Sequence, residues 1–437
     1  MRKIKILISC LCVCLLFFGI GEGFRYILID DTSSYTRLMM HELYESEENI
    51  ATLFIGSSHC YRSLWPRITD EMMGVYTFNA GSSSQRPDGS YAVIKEAAKI
   101  HDIDHIYLEV YYSVLGESYK KRSEMTGTYI LSDYMRPSLT KLEFLLGASS
   151  QTHYVNSFVL ARRNWKKLFD ADYVMNLIRE KQTEAYKTYA YDPDTDVMER
   201  YAGKGFVASD GATAPGGFTK DSPFTSIHEN TIGADSMRVL RKIIAFCQKK
   251  GIRLTLFAAP MSDFQLCSVG NYDEYASLIE NLISGTDVEF YDFNLCKPEY
   301  FSYDAALFKD AGHLNTEGAM VFSKLFSRFF TGQIDSEALF YRSYEEKLSA
   351  MPASLFGNII EKDQNTGDIT ILPVSNCAPE HILYSINLLT EDNIHSLAVS
   401  QPGPIRLSSD CLQNGTLEIS AFLNEQEACN IRYTVKK

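Results

Sequence analysis

Thr52-Leu53-Phe54-Ile55-Gly56-Ser57-Ser58-His59 decides how this chain is read. An apolar run stops at a glycine, and two hydroxyl residues and an imidazole follow at once. The pattern is a short buried strand entering a tight turn, with a serine delivered at the strand's carboxyl end. A serine hydroxyl is a weak nucleophile until a base comes within reach. His59 is near in sequence but poorly placed, because adjacent side chains diverge. A better base lies 255 residues beyond Ser58, in Asp310-Ala311-Gly312-His313-Leu314-Asn315, directly before an amphipathic pattern. Asp310 and His313 are three apart and share one face of a turn. The carboxylate can hold the imidazole tautomer while the second ring nitrogen takes the serine proton. Alone, that spacing is equally a helix-start decoration. Together the two segments suggest serine acyl transfer.

Outward from the first strand (52–55), apolar strand patterns fall at 75–78, 106–112, 254–259 and 288–293. Helical patterns separate them at 88–100, 236–249 and 272–282, and a last helix begins near Thr316 with Asn315 as N-cap. Short strands without alternation, separated by amphipathic helices, predict a three-layer α/β/α domain on a five-stranded parallel sheet. In such sheets the site lies beyond the carboxyl ends of the strands. Ser58, Gly81, the end of the third strand, Asp310 and His313 all fall on that edge.

The blocks resemble those of the SGNH (GDSL-like) hydrolases, which share a flavodoxin-like α/β fold. Their Gly-Asp-Ser block corresponds to Gly56-Ser57-Ser58, which makes Ser58 the nucleophile. Their second-block glycine corresponds to Gly81 in Phe78-Asn79-Ala80-Gly81-Ser82-Ser83. Their Asp-x-x-His block corresponds to Asp310 and His313. The resemblance covers about 50–113 and 233–330. It departs in two places. Ser57 replaces the block acid, and the Gly-x-Asn-Asp block is absent, the third strand ending Leu108-Glu109-Val110-Tyr111-Tyr112. That block supplies an oxyanion donor, and losing one costs about 3 kcal/mol. The N–H groups of Ser58 and Gly81 would remain, and Tyr111 is the substitute donor; a Glu109 carboxylate cannot donate. Anchored members with degenerate blocks resemble cell-envelope acyl-transfer proteins, including alginate acetylation and DltD-like proteins. The resemblance implies a serine esterase or O-acyltransferase on an envelope polysaccharide. It implies no cofactor, and it implies a multi-spanning membrane acyltransferase as partner. The competing reading is a non-catalytic glycan-binding or assembly protein on the same scaffold.

The start of the chain points to the membrane. Met1-Arg2-Lys3-Ile4-Lys5 precedes an apolar run from Ile6 to Ile20, which reads as a signal anchor or signal peptide over 1–29. No Ala-x-Ala site follows, so an uncleaved, single-pass anchor is expected, the secreted form being the alternative; the basic end stays cytoplasmic. Residues 30–50 read as a stalk, 51–330 as the hydrolase-like domain, 114–232 as an insertion in it and 331–355 as a helical connector. The insertion holds Arg162-Arg163-Asn164-Trp165-Lys166-Lys167, either a patch for an anionic glycopolymer or a solvated helix face with a buried tryptophan. Residues 356–437 alternate over short strands, with Asn414-Gly415 as a hairpin signal, and predict a small β-sandwich, read as a structural cap. A net charge of −13 argues against a nucleic-acid-binding surface. Seven cysteines lie beyond the apolar run with no Cys-x-x-Cys pair, so a zinc site is not expected, and disulfide pairing is open.

Overall fold

The computed structural model describes residues 2–435 except 117–118, 120–124, 150–152, 196, 222–226, 228–231 and 392. The central sheet is built from β1 (Thr52–Ile55), β2 (Thr77–Asn79), β3 (His105–Glu109), β4 (Arg253–Ala258) and β5 (Glu289–Asp292). All pair in parallel, in the order β2-β1-β3-β4-β5. This doubly wound order reverses direction at β1, where a crevice opens beyond the carboxyl ends.

Alternation within the strands explains the layers. Leu53, Ile55, Ile106, Leu108, Leu254 and Leu256 enter one core. It also takes residues from the helices Pro87–Ala97, Ala234–Lys250 and Tyr272–Ile283. Phe54, Tyr107 and Phe257 enter the other core, against Phe322, Phe326 and Phe329 of the helix Thr316–Phe330. Burying each such phenylalanine contributes about 2–3 kcal/mol. The Asn315 side chain accepts from the Gly318 N–H and so caps that last helix.

Three expectations change. Residues 30–50 are no stalk: the helix Tyr35–Glu45 buries Met39, Met40 and Leu43 in the first core. The third strand ends at Glu109, not Tyr112, because a short helix, Tyr112–Leu115, begins directly after Tyr111. The hairpin signal at Asn414-Gly415 opens the strand Gly415–Leu423; the hairpin itself turns at Asn424-Glu425, both at positive φ.

The insertion contributes the helices Leu139–Ala148 and Ala171–Lys181 and several shorter elements. Its strand Phe218–Lys220 leaves the α/β domain and pairs with Leu355–Lys362 of the C-terminal sandwich. That sandwich has two four-stranded sheets. Its first sheet is buried on both faces: Ile360, Ile369 and Ile371 face the sandwich core, while Ile359 and Val374 join the aromatic core of the α/β domain. The seven cysteines beyond the N-terminal run are free thiols. The N-terminal run forms one helix, Arg2–Leu28. Among the described residues no helix is long and apolar enough to cross a membrane; the side chains at 2, 3, 7, 10, 11, 14 and 18 fall outside that description.

Candidate active site

The serine turn is shaped by what lies beneath it. Gly56 ends β1, and a Cβ there would meet Glu109 Cβ and Oε2 at 2.6 Å, so only glycine fits. Ser57 then caps the one-turn helix Ser58–Tyr61, its Oγ accepting from the His59 N–H at 3.2 Å. Ser57 also donates its own N–H and Oγ–H to Glu109 Oε2, each at 2.8 Å. Ser58 is thereby left as the first helical residue, half-buried and pointing out of the crevice floor.

The structure brings Ser58, His313 and Asp310 into one line. Ser58 Oγ lies 2.8 Å from His313 Nε2, and His313 Nδ1 lies 2.8 Å from Asp310 Oδ1. Asp310 Oδ1 also accepts from the N–H groups of Gly312 and His313, each at 3.0 Å. Burial opposes ionisation of Asp310, yet the hydrogen bond and charge of His313, with the Gly312 N–H and Lys309, hold its carboxyl down at about 2. A fixed anion on Nδ1–H sets the tautomer in which Nε2 accepts the serine proton.

His59 is the second imidazole in the site and does not bind Ser58. It is buried, with its ring 4.6 Å from that of His313 and 3.9 Å from that of Tyr111. Burial, with the charges of His313 and Arg62, holds it well below the usual imidazole range, so it packs as a neutral ring. The ring of Tyr111, the expected substitute oxyanion donor, covers His59, and its hydroxyl accepts from Gln265 Nε2 at 3.4 Å.

Gly81 lies beside the serine turn, where a Cβ would approach the carbonyls of Ser57 and Gly56 at 3.1 and 3.2 Å. Its N–H, however, donates to Asn79 Oδ1 at 3.1 Å rather than standing free for an oxyanion. Asn79 also donates from Nδ2 to the carbonyls of Cys60 and Leu64, at 3.0 and 2.9 Å. It thus ties β2 to the serine helix. Among the described residues, the Ser58 N–H has no hydrogen-bond partner and is the free donor of the turn.

Two further features surround this line. Arg62 and Lys309 both pair with Glu199 of the insertion, Arg62 at 2.8 Å. A cavity of about 180 Å³ adjoins Gly81 and is rich in hydroxyls, including Ser34, Tyr35, Tyr61, Ser82 and Ser83. Sequence reasoning had reached the serine, histidine and aspartate positions; it missed Glu109 as the partner of Ser57 and Asn79 as a clamp. A glutamate inside an otherwise apolar strand end, Tyr107-Leu108-Glu109-Val110, was the available signal for the first. Asn79, set between a strand and a glycine, carried no comparable signal.

No protein-family model and no curated protein matches the chain. Among solved structures it is similar to a protein assigned to the G-D-S-L lipolytic family from Desulfitobacterium hafniense DCB-2, at 10% identity and a TM-score of 0.29, over 64% of this chain and 99% of that one. It is also similar to a protein assigned as a platelet activating factor from Streptococcus pneumoniae, at 12% identity and a TM-score of 0.32, over 73% of this chain and 98% of that one.

Proposed function

We propose that the chain, whose α/β domain has an SGNH hydrolase-like fold, is a membrane-anchored, extracytoplasmic serine esterase or O-acyltransferase acting on acyl groups of a cell-envelope polysaccharide. The single observation that carries the chemistry is the unbroken Ser58–His313–Asp310 line, with both links at 2.8 Å. Ser58 Oγ attacks the ester carbonyl and passes its proton to His313 Nε2. His313 returns that proton to the leaving alkoxide as the acyl–serine ester forms. A water or a sugar hydroxyl then gives its proton to His313 and attacks the acyl-enzyme, and His313 passes that proton to Ser58 Oγ as the acyl–serine bond breaks. The Ser58 N–H faces the developing oxyanion; the Gly81 N–H joins it only by leaving or sharing Asn79. The hydroxyl-lined cavity beside Gly81 has room for a small acyl group or part of a sugar ring. The envelope setting rests on the basic, apolar start of the chain and on the resemblance, which also implies a multi-spanning membrane acyltransferase as partner.

The alternative, a glycan-binding scaffold without turnover, is favoured by one observation: the Gly81 donor is occupied and no asparagine arrives from the third strand. Acetate release from an O-acetylated polysaccharide separates the two. The proposal expects release by the wild type and none by Ser58→Ala. Wild type that binds the polysaccharide, releases nothing and transfers nothing to an added glycan favours the scaffold.

A further inference from the structure

We propose that the insertion carries a membrane-interface platform, formed by the exposed apolar side chains of 154–169, which lies against the bilayer around the exit of the N-terminal helix. The inference rests on the anchor reading of that helix, and goes beyond it by assigning a second, peripheral contact.

The first observation is how the helix Arg2–Leu28 ends. The last carbonyls of a helix lack intrahelical partners. Here three side chains of the insertion supply them: Asn164 Nδ2 donates to the Leu28 carbonyl at 3.0 Å, Tyr173 Oη–H to the same carbonyl at 3.2 Å, and Lys181 Nζ to that of Ile29 at 2.6 Å. The helix also packs against the turns Leu160–Arg163 and Trp165–Phe169 and the helix Ala171–Lys181. Where the apolar helix leaves the folded domain, this part of the insertion is therefore fixed beside it.

The second observation is what that part exposes. Phe169 is 79% exposed, Trp165 52%, Val159 51%, Val155 47%, Phe158 46% and Leu168 44%. Apolar side chains gathered in this way on a folded chain mark an interaction surface. The expected buried tryptophan is thus half exposed. The third is charge. Arg162, Lys166 and Lys167 stand exposed among these side chains, although the chain as a whole carries −13. Arg163 is turned inward and paired with Asp133 at 2.7 Å. Tryptophan and phenylalanine interleaved with lysine and arginine suit the headgroup boundary, where rings and aliphatic groups leave water and the cations meet anionic lipid. An anionic polysaccharide would meet the same cations, but it would leave Val155, Val159 and Leu168 in water, so the observations favour lipid.

The chain has two tryptophans, and Trp65 packs on Phe206 with ring centroids 4.8 Å apart. Full-length Trp65→Phe protein, reconstituted in phosphatidylglycerol/phosphatidylcholine vesicles, therefore reports Trp165 alone. Brominated acyl chains should quench its emission about twofold, more from shallow than from deep bromines, and protect it from aqueous iodide. The wild type provides a second arm, with Trp65 as a constant background. Emission equal in brominated and plain vesicles, and open to iodide, overturns the platform. Carbonate extraction of the same vesicles tests the anchor separately. Unquenched but carbonate-resistant protein refutes the platform and leaves the anchor; quenched protein that carbonate removes supports the platform and refutes the anchor. Protection of Trp165 by added polygalacturonate, with no quenching by brominated lipid, assigns the patch to a polymer and overturns the proposal.

Discussion

Ser57 stands where a Gly-Asp-Ser block has its acid, and a carboxyl reaches the turn from the neighbouring strand instead. Glu109 Oε2 takes both the N–H and the Oγ–H of Ser57. Burial pushes the Glu109 carboxyl up to about 7, against the pull of those two hydrogen bonds. The folded state therefore favours the protonated form. That contribution is fully present below the ordinary glutamate range near 4.5, is lost as pH rises from there through about 7, and is flat above. The whole span is worth about 3 kcal/mol. Urea midpoints between pH 5 and 8 should fall for the wild type and stay nearly level for Glu109→Gln; parallel profiles would contradict this reading. The triad positions were legible because serine, aspartate and histidine announce chemistry by type and spacing. Glu109 was not, because its role depends on strand register, which sets Leu108 opposite Ile55 and leaves Glu109 under the turn. The place of Tyr111 against His59 was not legible for a related reason: it is a contact between segments about 50 residues apart in sequence.

Between elements, Asn79 is the joint on which the serine turn depends. Its side chain makes three backbone hydrogen bonds across β2, the serine helix and the Gly81 turn. Asn79→Ala leaves the Leu64 carbonyl without its partner, while the Cys60 carbonyl keeps the N–H groups of Ser63 and Leu64, and should cost about 1–3 kcal/mol of stability, read from urea unfolding. It also frees the Gly81 N–H. If that donor reaches the oxyanion, kcat of folded Asn79→Ala on p-nitrophenyl acetate should hold or rise; a kcat loss at constant fold would show that the clamp positions Ser58 instead. The parallel strands and their helices could be read from sequence because hydrophobic period and burial agree there. Tyr35–Glu45 reads as stalk because its polar residues outnumber its core ones, although Met39, Met40 and Leu43 lie on one helical face. Leu355–Lys362 lacks clean alternation because it is buried on both faces.

The whole molecule is held together across its two ends. The insertion lends a strand to the sandwich, and the sandwich returns Ile359 and Val374 to the aromatic core that also holds Phe257 and Phe293. Between them, Lys347 Nζ donates to Asp263 Oδ1 at 2.7 Å and to the Asn294 carbonyl at 3.0 Å, both side chains buried. Removing one partner of such a pair strands the other charge. Lys347→Met should cost about 3–5 kcal/mol, while Lys347→Met with Asp263→Leu should cost less than that single change. Urea melts of both variants test this, and equal costs would show that packing rather than charge dominates. Among the described residues, the sandwich's large exposed apolar side chains are Ile394 and Val399. That a strand would cross from the insertion to this cap could not be read in sequence, because Phe218-Thr219-Lys220 has too few residues to show a period.

The most direct test of the catalytic account is where a serine-directed fluorophosphonate binds the folded protein. Peptide mass mapping should place one adduct on Ser58, absent from Ser58→Ala and His313→Ala, retained in Ser57→Ala, and slowed on the order of 10⁴-fold in Asp310→Asn. An adduct on Ser57 that survives Ser58→Ala, or no adduct on folded wild type, would contradict it.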